Sequence, residues 1–301
     1  MTPPERDTAA LPHLDAAGNL ASHAVAALMD EAMLTPKPGL VDMRGSGAHR
    51  DLTWMLMCQS ACALRPAYLA MAAAGASMVD ASALRRRIGA IGRMAERTML
   101  DTSGGVNTHR GAIYALGLLV TAAARWPQAG AEQIARGAGE LARLDDPDGP
   151  ARTGHKGERA RLEHGVGGAR GQAQAGFPQV RLHALPMLRA CRARGDSEAV
   201  ARVNALLAVM AHLDDTCVLA RGGAAALSAT QRGALQVLAR GGIGTVAGRA
   251  AFARLEARMR RLHVSPGGAA DLLAATLLLD RVERTREPTV PPSNRSQTWK
   301  Q

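Results

Sequence analysis

The chain has 301 residues, enough to bury a substantial core, with 47% hydrophobic residues but only 2% aromatic ones. An interior made of Ala, Leu, Val and Met favours closely approaching helices over a sheet of aromatic and β-branched pairs, so the expected fold is all-α. The net charge of +11, from 37 Lys and Arg against 26 Asp and Glu, attracts anions. The scarcity of stacking aromatics and the lack of a DNA-reading motif argue against nucleic acid and leave small polyanions such as nucleotides.

Apolar spacing and Gly/Pro punctuation predict a procession of helices. Residues 1–12 read as a flexible N-terminus. A helix follows over His13–Leu34 and ends before Pro36 and Pro38; a second covers Asp51–Ala74 with a disturbance at Pro66. Further helices are predicted over Ala81 to about Thr98, a long apolar one ending at Arg125, and Ala131–Leu144 before the break DDPDGP. Val180–Arg194, Ser197–His212, Ala224–Ala239, Ile243–Leu262 and Gly268–Arg284 complete the set, with no alternating strand pattern. Residues 13–286 are read as one helical domain with glycine-rich loops lining one cleft, and the polar, proline-bearing residues 287–301 as a disordered tail. Cys58, Cys62, Cys191 and Cys217 form no CxxC pair and read as buried small apolar residues. No secretion signal is visible, and the apolar run Ala112–Ala124 is too short to span a bilayer, so a cytoplasmic setting is expected.

Polar chemistry is confined to segments between these helices. In GGVNTHRGAIYALGLL, Gly104 and Gly105 lead through Asn107, Thr108, His109 and Arg110 into an apolar helix. Glycines let main-chain N–H groups approach an anion, and a helix start presents unpaired N–H donors at the positive end of its dipole; an ordinary tight turn is the plainer alternative. The loop TPKPGLVDMRGSGAHRD carries Lys37, Asp42, Arg44, His49 and Asp51, both charge signs on a chain stiffened by prolines. Such a loop can hold a metal-bound polyphosphate, with cations on the phosphate and carboxylates on Mg²⁺; Asp51 could instead cap the next helix.

Over Arg152–Arg194, nine Lys and Arg face two acids, Glu158 and Glu163, among closely spaced glycines, which places an anion nearby. In HLDDTCVLARGG, Asp214 and Asp215 stand together at the end of an apolar helix, where they oppose its dipole unless a divalent cation or Arg221 compensates. Asp271, in the first turn of the last helix, reads as a surface acid that complements the dipole there.

Taken together, TPKPGLVD with SGAH and Asp51, GGVNTHRGAIYALG, GGARG followed by GFP, and DDT followed by RGG resemble, in their order, the triphosphoribosyl-dephospho-CoA synthase family over about residues 20–285. The shorter, Ala/Arg-rich form resembles the malonate decarboxylase branch more than the citrate lyase branch. The resemblance implies transfer of the triphosphoribosyl group of ATP to a ribose hydroxyl of 3'-dephospho-CoA, with adenine leaving and the product later modifying an acyl carrier protein. Attack at the anomeric carbon passes through an oxocarbenium-like state, which calls for a carboxylate near that carbon and a base for the hydroxyl. Asp214, Asp215 and His109 are the candidate catalytic groups. Lys37, Arg44, Gly104, Gly105, Asn107, Thr108, Arg110, Arg170 and Arg221 are the candidates for substrate and phosphate; Asp42, Asp51, Asp214 and Asp215 are those for Mg²⁺. A homo-oligomer is compatible with this reading.

Three positions depart from the family's usual pattern: Cys217 where Asn is common, Ala220 where His precedes RGG, and Gln172 where GARGE has Glu. Each removes a hydrogen-bonding or charged group. Two rival functions fit the composition. A helical metal-dependent hydrolase of ADP-ribose-like linkages would release adenine without an acceptor. A non-enzymatic basic helical module would bind acidic partners with steep salt dependence.

Overall fold

A computed structural model describes residues 10–150, 152 and 154–286. The reading of 287–301 as a tail, and most of that for 1–12, fall outside these residues. Thirteen α-helices are present among them: α1 (Ala10–Met33), α2 (Trp54–Ala63), α3 (Arg65–Ser77), α4 (Ala81–Thr102), α5 (Arg110–Arg125), α6 (Ala131–Arg143), α7 (Lys156–His164), α8 (Gly168–Gln174), α9 (Leu185–Ala193), α10 (Glu198–His212), α11 (Thr216–Leu238), α12 (Val246–Leu262) and α13 (Gly267–Arg286). A π-turn over Val180–Ala184 leads into α9, and a 3₁₀ turn over Gly242–Gly244 precedes α12. Among the described residues no strand forms, only an isolated bridge between Asp42 and Gly45. The all-α expectation holds.

Three helices apolar on nearly every side make the centre: Ala115–Ala123 of α5, Val203–Ala211 of α10 and Leu272–Leu279 of α13 are buried without interruption. The outer helices show the opposite pattern. On α4, Leu84, Ile88, Ile91, Ala95 and Met99 recur at helical spacing and are buried, while Arg86, Arg87 and Arg97 between them are exposed. The alanine-rich composition has a direct packing consequence at Gly75, where a Cβ would collide with the backbone of Thr121; α3 and α5 approach closely because that atom is missing. Buried residues from α1 through α13 form one continuous apolar cluster.

Several predicted boundaries move for identifiable reasons. Pro66 divides the second predicted helix into α2 and α3, taking a first-turn position of α3 where its missing N–H costs nothing. Thr53, not Asp51, caps α2 by accepting from the Leu56 amide at 3.2 Å. Lys156–His164 and Gly168–Gln174, expected as an Arg/Gly-rich loop, are two short helices with Gly165 in the left-handed conformation after the first. The helix predicted from Ala224 begins at Thr216, with a kink at Gly223, where φ is 67°. Asp215 therefore starts a helix instead of ending one, and its charge complements the dipole of α11 instead of opposing that of α10. Cys62 is exposed and Cys58 and Cys217 half-buried; only Cys191 is in the core, and all four are free. No single described helix is long and apolar enough to cross a membrane.

Candidate active site

The site is built where the N-termini of α5, α11 and α13 meet. Asp215 caps α11: one carboxylate oxygen accepts from the amides of Cys217 at 2.8 Å and Val218 at 3.4 Å. Its other oxygen accepts from Ala269 in the first turn of α13 at 2.9 Å. One buried carboxylate thus ties two helix starts together. Burial raises its carboxyl above the ordinary range, opposed by these amides and that of Gly268.

Asp271, one helical turn into α13, reaches the third helix start. It accepts from the Ala112 amide of α5 and sits where a Cβ on Gly111 would be, so that position accepts only glycine. Burial pushes its carboxyl well above the usual carboxylate range, and the nearby carboxylates of Glu31 and Asp215 push the same way. It is not the surface acid the sequence suggested, because the helix around it is apolar on all sides. Tyr68 of α3 is 1% exposed, lies within electrostatic reach of Asp271, and has a hydroxyl without a hydrogen-bond partner.

The proline-bearing loop closes a second side of this junction. Lys37, 2% exposed, donates to the Glu31 side chain and backbone carbonyl, both at 2.5 Å, at the end of α1. Asp42 is spent inside the loop, accepting from the Lys37 amide at 2.9 Å and from the Arg44 amide and guanidinium; Arg44 also reaches Glu256 on α12. These bonds hold the Asp42 carboxyl below its ordinary value against its burial. His49 bridges the loop to both helix starts: its Nε2 lies 3.1 Å from the Ser265 hydroxyl, and Arg221 donates to its Nδ1 at 3.3 Å. Arg221 also donates to the Ala48 carbonyl at 3.2 Å. Burial lowers the His49 imidazole to about 4, with Arg221 adding to the effect, so the ring is neutral.

His109, at the start of α5, is buried and neutral, its pKa lowered mainly by burial; Nε2–H donates to the Met57 carbonyl at 2.9 Å. The ring has no charge to offer a phosphate, and the proton it carries is engaged. Glu31 and Lys37 lie within its electrostatic reach.

The structure thus gathers Lys37, Asp215, Arg221 and His109 around one junction and adds Glu31, Asp271, Tyr68 and His49. Helices α7 and α8 come to its rim, where Thr216 lies 3.5 Å from a Cβ placed on Gly157 and 3.4 Å from one on Gly168, and Arg170 acts electrostatically on Tyr114 of α5.

Other candidates turn elsewhere. Gly104 and Gly105 terminate α4, the Gly105 amide donating to the Leu100 carbonyl at 2.7 Å, and both are exposed. Asn107 accepts from the Arg110 amide at 3.0 Å ahead of α5, Thr108 pairs with Ser60 at 2.6 Å, and Arg110 pairs with Glu96 at 3.1 Å. Asp214 is exposed and meets Gln231 at 3.4 Å. Asp51 is exposed, with an oxygen 3.8 Å from His49. Among the described residues no group of three or more His, Cys, Asp or Glu is placed to hold a metal ion.

Glu31 was legible in principle. It falls on the apolar stripe Leu20, Ala24, Ala27, Leu28, and a carboxylate on a buried stripe needs a partner. Asp271 carried the same signal, preceding the uninterrupted apolar run of α13.

The family model for ATP:dephospho-CoA triphosphoribosyl transferases matches residues 17–290, a span that includes every helix start of this junction, and the chain belongs to that family. Among curated relatives, it is 54% identical over 277 residues to the probable 2-(5''-triphosphoribosyl)-3'-dephosphocoenzyme-A synthase of Azotobacter vinelandii, covering 91% of this chain and 95% of that protein. It is 54% identical over 264 residues to the 2-(5''-triphosphoribosyl)-3'-dephosphocoenzyme-A synthase of Klebsiella pneumoniae, covering 87% and 94%. No solved structure matches the chain.

Proposed function

We propose that this protein transfers the triphosphoribosyl group of ATP to a ribose hydroxyl of 3'-dephospho-CoA and releases adenine. The observation that carries the reading is the meeting of three helix N-termini beside the Lys37–Asp51 loop. Such a junction concentrates positive potential, and the overall charge of +11 draws polyanionic substrates toward it. Its inner carboxylates suit the sugar, where an oxocarbenium-like centre develops beside a departing purine; its outer cations, Arg221 and Arg170, suit the phosphates.

Mg²⁺ belongs to this proposal as the companion of the triphosphate. The four carboxylates read as its ligands do not form a cage: the oxygens of Asp42 and Asp215 are engaged by backbone and arginine donors. Asp51 and Asp214 keep exposed oxygens. Mg²⁺ commonly takes one or two carboxylates and completes its shell with phosphate and water, and no step here is derived through it. The product is proposed as the prosthetic-group precursor of an acyl carrier protein, that of malonate decarboxylase in preference to citrate lyase. Free cysteines agree with a cytoplasmic setting.

Mass spectrometry of ATP and 3'-dephospho-CoA incubated with the protein and Mg²⁺ tests the reading. Free adenine with a triphosphoribosylated acceptor is expected. Adenine released without the acceptor would mean a hydrolase instead, and unchanged substrates would overturn the transferase reading.

A further inference from the structure

We infer that Asp271 is the catalytic base, the carboxylate that takes the proton from the attacking ribose hydroxyl; this rests on the transferase reading above. The assignment follows from which carboxylate at the junction still has an oxygen to give. Both oxygens of Asp215 are taken by backbone amides of α11 and α13. Glu31 holds the Lys37 ammonium at 2.5 Å, and Asp42 is closed by Lys37 and Arg44. Asp214 and Asp51 are exposed and lie outside the junction. Asp271 accepts one backbone amide, that of Ala112, and retains capacity for a substrate hydroxyl.

A second observation points to a ligand at the same place. The Tyr68 hydroxyl is buried within electrostatic reach of Asp271 and has no protein partner, and an orphaned buried hydroxyl calls for a guest that completes its hydrogen bond. A substrate ribose between the two would supply it.

The groups facing Asp271 also suit a base. The carboxylates of Glu31 from α1 and Asp215 ahead of α11 both raise the Asp271 carboxyl, while Tyr68 from α3 and the Cys217 thiol are themselves pushed up by burial. Like charges and burial make the carboxylate a stronger proton acceptor than one in water, and the α5 amide keeps it oriented. In the step itself, the hydroxyl oxygen bonds to the anomeric carbon of ATP's ribose as the bond from that carbon to the adenine nitrogen breaks. The bonding pair leaves with adenine, which takes a proton from water. The hydroxyl proton passes to Asp271 and is returned to solvent when the product leaves.

The test compares Asp271→Asn, Asp271→Glu and Tyr68→Phe with the unaltered protein, reading adenine release, ATP binding by calorimetry and thermal melts. Asp271→Asn should lower kcat by about 10²–10⁴-fold, the usual contribution of a positioned base, with ATP affinity retained. Asp271→Glu should recover part of that loss, and Tyr68→Phe should melt no earlier than the parent but raise KM. For the unaltered protein, kcat should fall as pH drops through the raised Asp271 value. A kcat within about tenfold of the parent in folded Asp271→Asn would overturn the assignment. Should that variant not fold, a kcat that stays flat down to the ordinary carboxylate range would overturn it equally. If the unaltered protein itself transfers nothing, the functional reading fails and the assignment falls with it.

Discussion

The two ends of α13 hold charge in opposite ways. At its C-terminal half a surface hollow is lined by Asp30, Arg192, Arg202, Asp280, Arg281 and Arg284. Every charge there is answered by a side chain: Arg192 meets Asp280 at 2.6 Å and Glu198 at 2.8 Å, Arg202 meets Glu198 at 2.7 Å, and Arg281 meets Asp30 at 2.6 Å. Arg192 holds the Glu198 carboxyl down to about 2. At the N-terminal end, Asp215 and Asp271 are held by backbone amides, and the Tyr68 hydroxyl is unanswered. The hollow is therefore a clamp between α1, α9, α10 and α13, because its charges are already paired. A site for a ligand needs donors and acceptors left over: the amide-held end has the Tyr68 hydroxyl beside its carboxylates, whereas the clamp leaves only the Arg281 Nε without a partner.

Removing Asp215 should break that contrast most severely. Asp215→Ala leaves several amides of two helix starts buried without an acceptor, and a cost of about 3–5 kcal/mol is expected, comparable to stripping one partner from a buried charge. Urea unfolding should show a lower midpoint together with lost transfer; an unchanged midpoint would mean that water reaches those amides. Lys37→Met should cost about 3 kcal/mol by abandoning the Glu31 carboxylate in the core, and Lys37→Met with Glu31→Leu should recover most of it. If the double variant is no more stable than the single one, the pair does not behave as a coupled buried ion pair.

The next effect appears through pH. An unfolded imidazole titrates near 6.5, whereas folded His49 titrates near 4. Between those values the unfolded chain binds more protons, so the contribution of His49 is full above pH 6.5 and is lost as pH falls toward 4. Melting temperatures across that window should drop for the parent and drop less for His49→Gln. Parallel curves would show that His49 is not the group responsible.

Much of this was legible in the residues. Helices α4, α5, α6, α10 and α13 follow from periodicity because their apolar stripes are long, and the segments bearing Lys37, Asp215 and Arg221 were marked by charge crowded between apolar runs. The role of Asp215 was not, since DDT reads equally as the end of α10 or the start of α11; only the amides of Cys217 and Ala269 decide which dipole it meets. The glycine pair at 104 and 105 is ambiguous for the same local reason, because glycine in the left-handed conformation both closes a helix and frames an anion loop. The apolar run after Asp271 hinted that it is not a surface acid, but its partner on α5, 159 to 160 positions earlier in the chain, appears in no local pattern.

The smallest expected effects separate the two ends of α13 most cleanly. Arg192→Ala removes two ion pairs from a partly solvated network, so stability should fall by about 1–2 kcal/mol, with kcat/KM unchanged. Arg221→Ala removes donors only to the Ala48 carbonyl and the His49 ring, groups that water can satisfy at an exposed rim. Its melting temperature should stay near that of the parent while KM for ATP rises by about tenfold, equivalent to about 1.4 kcal/mol of lost phosphate contact. Loss of activity from Arg192→Ala, or of stability alone from Arg221→Ala, would reverse the division of labour between clamp and site.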